Sequence, residues 1–430
     1  MSDKNTISNS EQIMSKTEYA FEAVPDSAKK SAVSLIAVLA GYLIAMSNFV
    51  TGAAIGSKMV FMDSLKALIA SDIFLVAICL SCGMIAFKFG VTTTVIARKV
   101  FGQKGSLILS VILALSVVCW LGTNGDTFAK MILHAVPGWP LAVGITAVIL
   151  IFLWLQSSAR GYKGLEIVSF LGVPAAVILS AWVIFSVLSN PENLENVVKF
   201  MPDGDYTFAQ ATTAGVGSWI FGAISSMDVI RFAKKKSHFL VGGFISFFFC
   251  LLVLQLTGVV CAQATGQTDF VSATAALGIA VPTLVCSFFA LWTTQDNNIY
   301  SATMSIQNII AETPLKGKIK HVHIAYGLAI LAALFSITGA LNFVLVFVSV
   351  LSVLLAPMPG LYLAEVYVVK SSSEKRKWNL WGLAAWFIAG FLGWYCNAHS
   401  ILIPPIISGV AAFAAYIVFG KIFVKNQAEA

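Results

Sequence analysis

Twelve apolar stretches, each near the roughly 20 residues that a helix needs to cross the hydrocarbon core of a bilayer, follow one another along this chain. They fall near 31–57, 65–87, 106–135, 140–156, 165–189, 208–232, 239–264, 279–304, 322–341, 343–369, 379–396 and 401–424. In hydrocarbon each main-chain N–H and C=O must be bonded within the protein, so spans of this length are helices. The sequence therefore predicts an all-α integral membrane protein with twelve transmembrane helices. With 58% hydrophobic and 11% charged residues in 430, the short polar gaps leave no room for a separate soluble domain. Residues 1–27 read as a disordered polar tail. They lack the apolar core of a cleavable signal peptide, so span one is expected to direct insertion.

The basic residues set the orientation. With both termini cytoplasmic, the inner side receives Lys29/Lys30, Lys88/Arg98/Lys99/Lys104, Arg160/Lys163, Arg231/Lys234/Lys235/Lys236, Lys316/Lys318/Lys320, Lys370/Lys375/Arg376/Lys377 and Lys421/Lys425; Lys58, Lys66, Lys130 and Lys199 fall outside. That is the positive-inside pattern. It accounts for the net charge of +7 through anionic lipid headgroups, without nucleic acid as a partner. A bacterial-type inner membrane is the expected location.

Catalytic signatures are missing from the sequence. The seven cysteines lie in or at the edges of apolar spans, including Cys79 and Cys82, and read as small packing residues rather than a disulfide framework. His321 and His323 sit at a basic inner loop, where a solvated or headgroup-facing role is expected. No HExxH, P-loop, nucleophile elbow or paired-carboxylate arrangement occurs. The chain is not expected to be an enzyme or to need a cofactor.

Function is signalled instead by the run Leu291-Trp292-Thr293-Thr294-Gln295-Asp296-Asn297-Asn298 within span eight. Polar side chains at membrane depth persist where they face a bundle interior or a watery cavity, and so mark a substrate or ion pathway. Two further spans carry glycine and hydroxyl clusters: Gly41 to Gly52 in the first, and Gly215 to Gly222 in the sixth. Glycine costs a helix roughly 1 kcal/mol relative to alanine, so both places are expected to unwind. Close helix packing is the alternative use of small residues. Interruptions five spans apart, beside a polar span, favour a midplane site between inverted repeats. The expected division is 28–190 for the first repeat, 208–369 for the second and 379–424 for two additional spans.

Several motifs carry a family resemblance. Trp292-Thr293-Thr294-Gln295-Asp296-Asn297 with Tyr300, Gly217-Ser218-Trp219-Ile220, Val24-Pro25-Asp26-Ser27-Ala28-Lys29-Lys30, and the inner loop from Gly90-Val91-Thr92-Thr93-Thr94 to Lys104-Gly105-Ser106 resemble the bacterial cytosine permeases and their relatives in the nucleobase–cation symport family. The resemblance runs from about Val24 to the C-terminus. It implies a leucine-transporter-type fold of five-plus-five inverted repeats with two C-terminal helices, and uptake of a heterocycle coupled to sodium. It places sodium between the break of span one and span eight, with main-chain carbonyls of Gly41, Ile44 and Ala290 and hydroxyls of Thr293 and Thr294 as ligands. Sodium prefers such oxygen ligands; threonine hydroxyls also bond back to helix carbonyls, and the residues alone do not separate these uses.

For the substrate, the resemblance makes Trp120 and Trp219 the two faces of a slot for a flat ring. Stacking is sequence-tolerant and contributes roughly 1–3 kcal/mol per face, so selectivity falls to edge hydrogen bonds. Gln295 offers a donor and an acceptor together, with Asn48 and main-chain groups around Gly217 assisting. Against the cytosine-permease pattern, Val117 stands for a glutamine, Phe221 for a serine, Gln295 for an asparagine and Trp219 for a phenylalanine. A less polar pocket leaves a polar base with unpaired groups at about 1–3 kcal/mol each. A purine, a substituted pyrimidine or another cyclic amide is therefore expected in preference to cytosine.

Five acids lie within spans: Asp72, Asp126, Asp228, Asp296 and Glu365. Asp228 is expected to pair with Arg231 three residues on, and Asp126 to be hydrated. Asp296 either holds a helix register or carries a proton in a proton-coupled variant. The resulting expectation is a monomeric sodium-driven symporter. Proton-coupled uptake of a vitamin-precursor pyrimidine or hydantoin-like compound is the alternative, and a receptor or channel is the competing class.

Overall fold

The computed structural model describes residues 18–20, 22–136, 138–202, 206–268, 270–337, 354–371 and 376–428. The junction expected between spans nine and ten, and the first seventeen residues, lie outside them. Among the described residues the protein is helical, with a lone bridge between Lys30 and Ala233. The helices are α1 (Ala32–Leu43), α2 (Met46–Gly56), α3 (Phe61–Phe89), α4 (Thr93–Ala135), α5 (Val143–Ser158), α6 (Tyr162–Leu188), α7 (Pro191–Val198), α8 (Phe208–Ser225) and α9 (Met227–Ile230). They continue with α10 (Lys236–Thr265), α11 (Phe270–Ala276), α12 (Ala280–Ile310), α13 (His321–Ile337), α14 (Met358–Val369), α15 (Leu380–Ala398) and α16 (Pro404–Ala428). By length and composition α3, α4, α6, α10 and the Pro404–Phe423 part of α16 can each cross a membrane, and α1 with α2 does so as a pair bent by 51°.

The bend in the first span falls where the sequence predicts an interruption. Ile44 (φ −77°, ψ 74°) and Ala45 (φ −113°, ψ 144°) leave the helical region, releasing carbonyls that side chains then bond. The sixth span behaves differently. Residues 215–222, expected to unwind, are helical, and Ser226, between α8 and α9, keeps helical dihedrals (φ −53°, ψ −22°). Gly215 serves helix packing instead, since a methyl group there would lie 2.7 Å from Ser71 Cβ, and one on Gly222 would overlap the Trp219 ring of its own helix. The van der Waals attraction between closely approaching helices offsets the weak helix propensity.

Small residues also fasten α2 to α10. A methyl on Gly52 would overlap the Gln255 carbonyl, and one on Gly56 would come within 2.7 Å of Val259 Cα. From the other side, one on Gly258 would overlap the Phe49 carbonyl. In α4, Gly102 (φ 80°, ψ 174°) bends the helix, and Gln103 and Lys104 amides donate to Arg376 and Lys377 carbonyls at 2.9 and 2.8 Å. The wide exposure of Phe185, Ile178, Phe387 and Val410 is a lipid-facing surface in a chain of this composition.

One face of the bundle is tied by the N-terminal segment. Residues 18–20 and 22–30, of which the first nine fall in the tail expected to be disordered, are packed here because Arg231 binds them. Its guanidinium, expected at the inner end of span six, is fully buried. It donates to the Glu18 and Tyr19 carbonyls at 2.8 and 2.9 Å, to the Tyr300 hydroxyl at 2.9 Å and to the Asp228 carbonyl at 3.0 Å. Val24 N–H donates to Gly90 O at 3.0 Å and Lys30 N–H to Phe232 O at 2.7 Å. The expected Asp228–Arg231 carboxylate pair is replaced by a cap, since the Asp228 carboxylate accepts the Thr93 amide at 2.7 Å at the positive end of α4. His321, expected to be solvated, is buried between Thr303 Oγ1 (2.9 Å) and the Ser158 carbonyl (3.0 Å).

Glu18 gives this strap a pH dependence. Burial pushes its carboxyl up from the ordinary glutamate value, against the opposing pull of the Tyr162 amide, Arg231 and Lys30. The docked strap therefore holds the proton more tightly than the free one, and docking weakens as pH rises through the docked value. Limited proteolysis read by mass spectrometry should show cleavage before Pro25 increasing with pH, and Glu18→Gln should flatten that profile without abolishing docking.

Candidate functional site

The site forms around the break between α1 and α2. Four groups close it. The Asn48 side-chain amide donates to the Leu43 carbonyl, and its oxygen accepts from Trp219 Nε1. The Thr294 hydroxyl donates to the Ile44 carbonyl at 2.7 Å and lies 3.3 Å from the Ala290 carbonyl. Thr293 Oγ1 meets Ser169 Oγ at 3.0 Å. A methyl on Gly41 would sit 2.5 Å from Thr293 Oγ1 and 2.7 Å from Ser169 Cβ, so only glycine lets α1 approach α6 and α12 this closely.

The five residues assigned to sodium are thus brought to one buried place: Gly41, Ile44, Ala290, Thr293 and Thr294. The Thr294 hydroxyl links two of their carbonyls, lying 2.7 Å from that of Ile44 and 3.3 Å from that of Ala290. Ser169 was missed by the sequence reading. A lone serine in an apolar span carries no signal, and only the packing of α6 on α1 brings its hydroxyl here.

Next to this cluster is a narrow cavity lined by Trp120 and Ser116 of α4, Gly217, Trp219 and Phe221 of α8, and Asn298 of α12. Ala45, Ser47, Asn124 and Thr294 complete its polar side. It shares Trp120, Gly217 and Ser218 with a larger vestibule of about 400 Å³, lined also by Thr51, Tyr206 and Asn397, on the side away from the N-terminal strap. The narrower space is the better candidate site, because convergent polar groups sit between aromatic walls there. The vestibule is mostly apolar.

The expected substrate residues divide. Trp120, Trp219, Gly217 and Phe221 line the cavity, whereas Val117 is buried in the apolar core with Leu121 and Leu291. Helical spacing explains the difference, since Ser116, four residues before Trp120, shares its face. Asn48 holds Trp219 and the broken helix, so both ends of its amide are engaged. Gln295 is fully buried and absent from the cavity wall, where Thr294 and Asn298 stand one turn apart. Both its amide atoms lack a protein hydrogen-bond partner among the described residues, and an unmet buried amide costs about 1–3 kcal/mol per group. Asn298 was in view as a polar residue of span eight, but the sequence could not give the helix rotation that turns it and Asn124 inward.

The acids separate by surroundings. Asp126 pairs with Lys130 at 2.6 Å. Glu365 accepts from Ser371 N–H and Oγ at 2.9 and 3.0 Å and from the Tyr416 hydroxyl at 3.1 Å. Asp296 is fully buried, with neither carboxylate oxygen bonded to a protein group among the described residues. Its main-chain carbonyl accepts from Ser158 Oγ at 3.2 Å. Among the described residues no group of three or more His, Cys, Asp or Glu side chains is placed to hold a metal ion.

The family described as permeases for cytosine/purines, uracil, thiamine and allantoin matches residues 23–380. The chain belongs to this family. The cytosine permease of Escherichia coli (strain K12) is 26% identical to this permease over 286 residues, covering 66% of this chain and 68% of the relative; that of Escherichia coli O157:H7 matches to the same extent. Among solved structures, Mhp1, a nucleobase-cation-symport-1 family transporter in a closed conformation with bromovinylhydantoin bound, superposes with a TM-score of 0.78 at 16% identity, over 95% of this chain and 96% of that one. A substrate-bound, outward-open Na+-coupled sialic acid symporter gives 0.72 at 11% identity, over 96% and 95%. This permease thus has the transporter fold of those proteins. It is an all-α membrane protein, and the sequence expectations of family and transport role are correct.

The two glycines at the site should respond oppositely to a methyl group. Gly41→Ala overpacks α1 against α6 and α12 and should lower stability by about 1–3 kcal/mol. Gly217 has open space where its Cβ would be, so Gly217→Ala should keep or raise the melting temperature while narrowing the cavity. Thermal unfolding of the purified variants in detergent compares the two.

Proposed function

We propose that this permease is a secondary active symporter that imports a nucleobase-like nitrogen heterocycle with sodium. The observation that carries the reading is the meeting, at one helix break, of an oxygen cluster from α1 and α12 with a cavity walled by Trp120 and Trp219. In this reading Gly41, Ile44, Ala290, Thr293 and Thr294 hold the ion, and Ser169 adds a sixth oxygen. The two tryptophans hold the ring. Asn298 and Asn124 read its edge, while Asn48 acts through Trp219.

The family supports a heterocyclic cargo, and the Na+-coupled sialic acid symporter of the same fold supports sodium. Phe221 on the cavity wall supports a purine, substituted pyrimidine or cyclic amide over cytosine. We assign twelve spans in five-plus-five inverted repeats with two further helices, a monomer in the inner membrane, and the strap-bearing face to the cytoplasm. That assignment rests on the hydropathy pattern and the distribution of Lys and Arg.

Sodium bound at the break favours the arrangement that presents the cavity, so ion and substrate should strengthen each other reciprocally. One sodium ion moving down 100 mV supplies about 2.3 kcal/mol, or roughly fifty-fold accumulation. Binding of a panel of nucleobases, hydantoins and vitamin-precursor pyrimidines, with and without sodium, should reveal a sodium-dependent ligand, and Thr293→Ala and Thr294→Ala should each weaken that dependence. Sodium-independent uptake that collapses with the proton gradient, and persists in both variants, would replace sodium by a proton.

Trp120→Ala and Trp219→Ala should each reduce binding of that ligand at least tenfold, the equivalent of about 1.4 kcal/mol. Trp394→Ala should not, because Trp394 is half exposed and packs beside Phe391. Equal loss in all three folded variants would place the ring elsewhere.

A further inference from the structure

Asp72 belongs neither to the cavity nor to the hydroxyl cluster, yet it is fully buried in α3, roughly 16 Å along the helix from Phe61 at 1.5 Å per residue. Its carboxyl faces the Gln255 side-chain amide of α10, which lies 3.2 and 3.3 Å from the two carboxyl oxygens. Ser71 Oγ lies 3.3 Å from Oδ1 and donates to the Leu68 carbonyl at 2.8 Å.

Among the described residues, no cation meets this acid from any neighbouring helix. Beside it α8 presents Thr212 and Gly215, and α2 presents Gly52. Asp63 and Lys66 pair with each other near the start of α3. Asp228, Arg231, His238, Tyr362 and Glu365 belong to the end nearer the strap, and Cys79 and Cys82 are two or more turns further along α3. A carboxylate in such surroundings is costly unless its charge is neutralised.

We propose that Asp72 and Gln255 form a proton-binding site at the joint between α3 and α10. A proton taken from water onto a carboxyl oxygen makes an O–H that donates to the Gln255 side-chain oxygen. On release to water, the amide turns over and its N–H2 donates to the carboxylate. The acid–amide pair is thus satisfied in both states, and the amide orientation registers which one is present.

The location couples this proton to the helices that frame the site. α2, the outer half of the broken span, rests through Gly52 on the main chain of Gln255 itself, and α8, which carries Trp219, rests through Gly215 on Ser71. A charge and its hydration at Asp72 therefore load the two contacts that hold the cavity walls against α3 and α10. The site stands whether or not sodium is the driving ion, since it shares no residue with the α1–α12 cluster.

Infrared difference spectroscopy of the full chain in liposomes, stepped in pH, tests it. The unmodified protein should show a protonated-carboxyl C=O band that vanishes at high pH, and this component should be lost from Asp72→Asn, whose amide can still pair with Gln255. In Gln255→Met the acid remains but loses its acceptor, so the band should move to higher frequency. Spectra of unmodified protein and Asp72→Asn that coincide at every pH would overturn the proposal, as would a band unmoved in Gln255→Met. A carboxylate band, present throughout, that responds to added sodium instead of pH would also overturn it by making Asp72 a metal-ion ligand.

Discussion

The interruption at Ile44 and Ala45 is the constraint around which the rest of the permease is organised. Breaking a helix inside a membrane frees main-chain carbonyls that water cannot reach, and each must find a partner within the protein. Here the partners come from side chains on other elements of the site: Thr294 on α12 takes the Ile44 carbonyl, and Asn48 takes that of Leu43 while holding Trp219. One unfavourable backbone event thereby fixes the relative positions of α1, α2, α8 and α12. The oxygens it gathers are those proposed to hold the ion, and the aromatic ring it pins forms one wall of the cavity.

Small residues supply the second layer of support. Gly41 lets α1 reach α6 and α12, Gly52 and Gly258 let α2 and α10 approach through their backbones, and Gly215 lets α8 rest on α3. Between lipid-soaked helices there is no water to expel, so association depends on close van der Waals contact and interhelical hydrogen bonds. A buried polar pair such as Asp72–Gln255, bracketed by two of these contacts, is well placed to influence both. At the opposite end, Arg231 draws an extended segment across the bundle, using all three guanidinium nitrogens on carbonyl and hydroxyl oxygens. Arginine's rigid fork suits that multiple capture better than lysine's single ammonium group.

The legible features were those written in local chemistry. The length and spacing of the apolar runs announced helices, the polar run from Trp292 to Asn298 announced a buried site, and Gly41 followed by Asn48 announced the first break. Where inference depended on which way a helix turns, it divided. Trp120 and Phe221 line the cavity as expected, but Val117 points into apolar packing and Ser116 takes the cavity face. A shift of one residue rotates a helical side chain by about 100°, which a list of motif positions does not encode.

By itself the sequence determined that the chain is helical and membrane-embedded, which family it belongs to, and which spans carry polar groups, because hydropathy and side-chain type act locally. Only the tertiary structure decided that Gly215 of the sixth span packs rather than unwinds, that Arg231 binds the N-terminal strap, that His321 is buried rather than solvated, and that Ser169 joins the threonines of α12. Each of those outcomes depends on what a neighbouring helix presents at the same depth. Burial and hydrogen bonding are properties of pairs of surfaces, and residues 124 positions apart, as Ser169 and Thr293 are, become partners only when the bundle closes around the broken first helix.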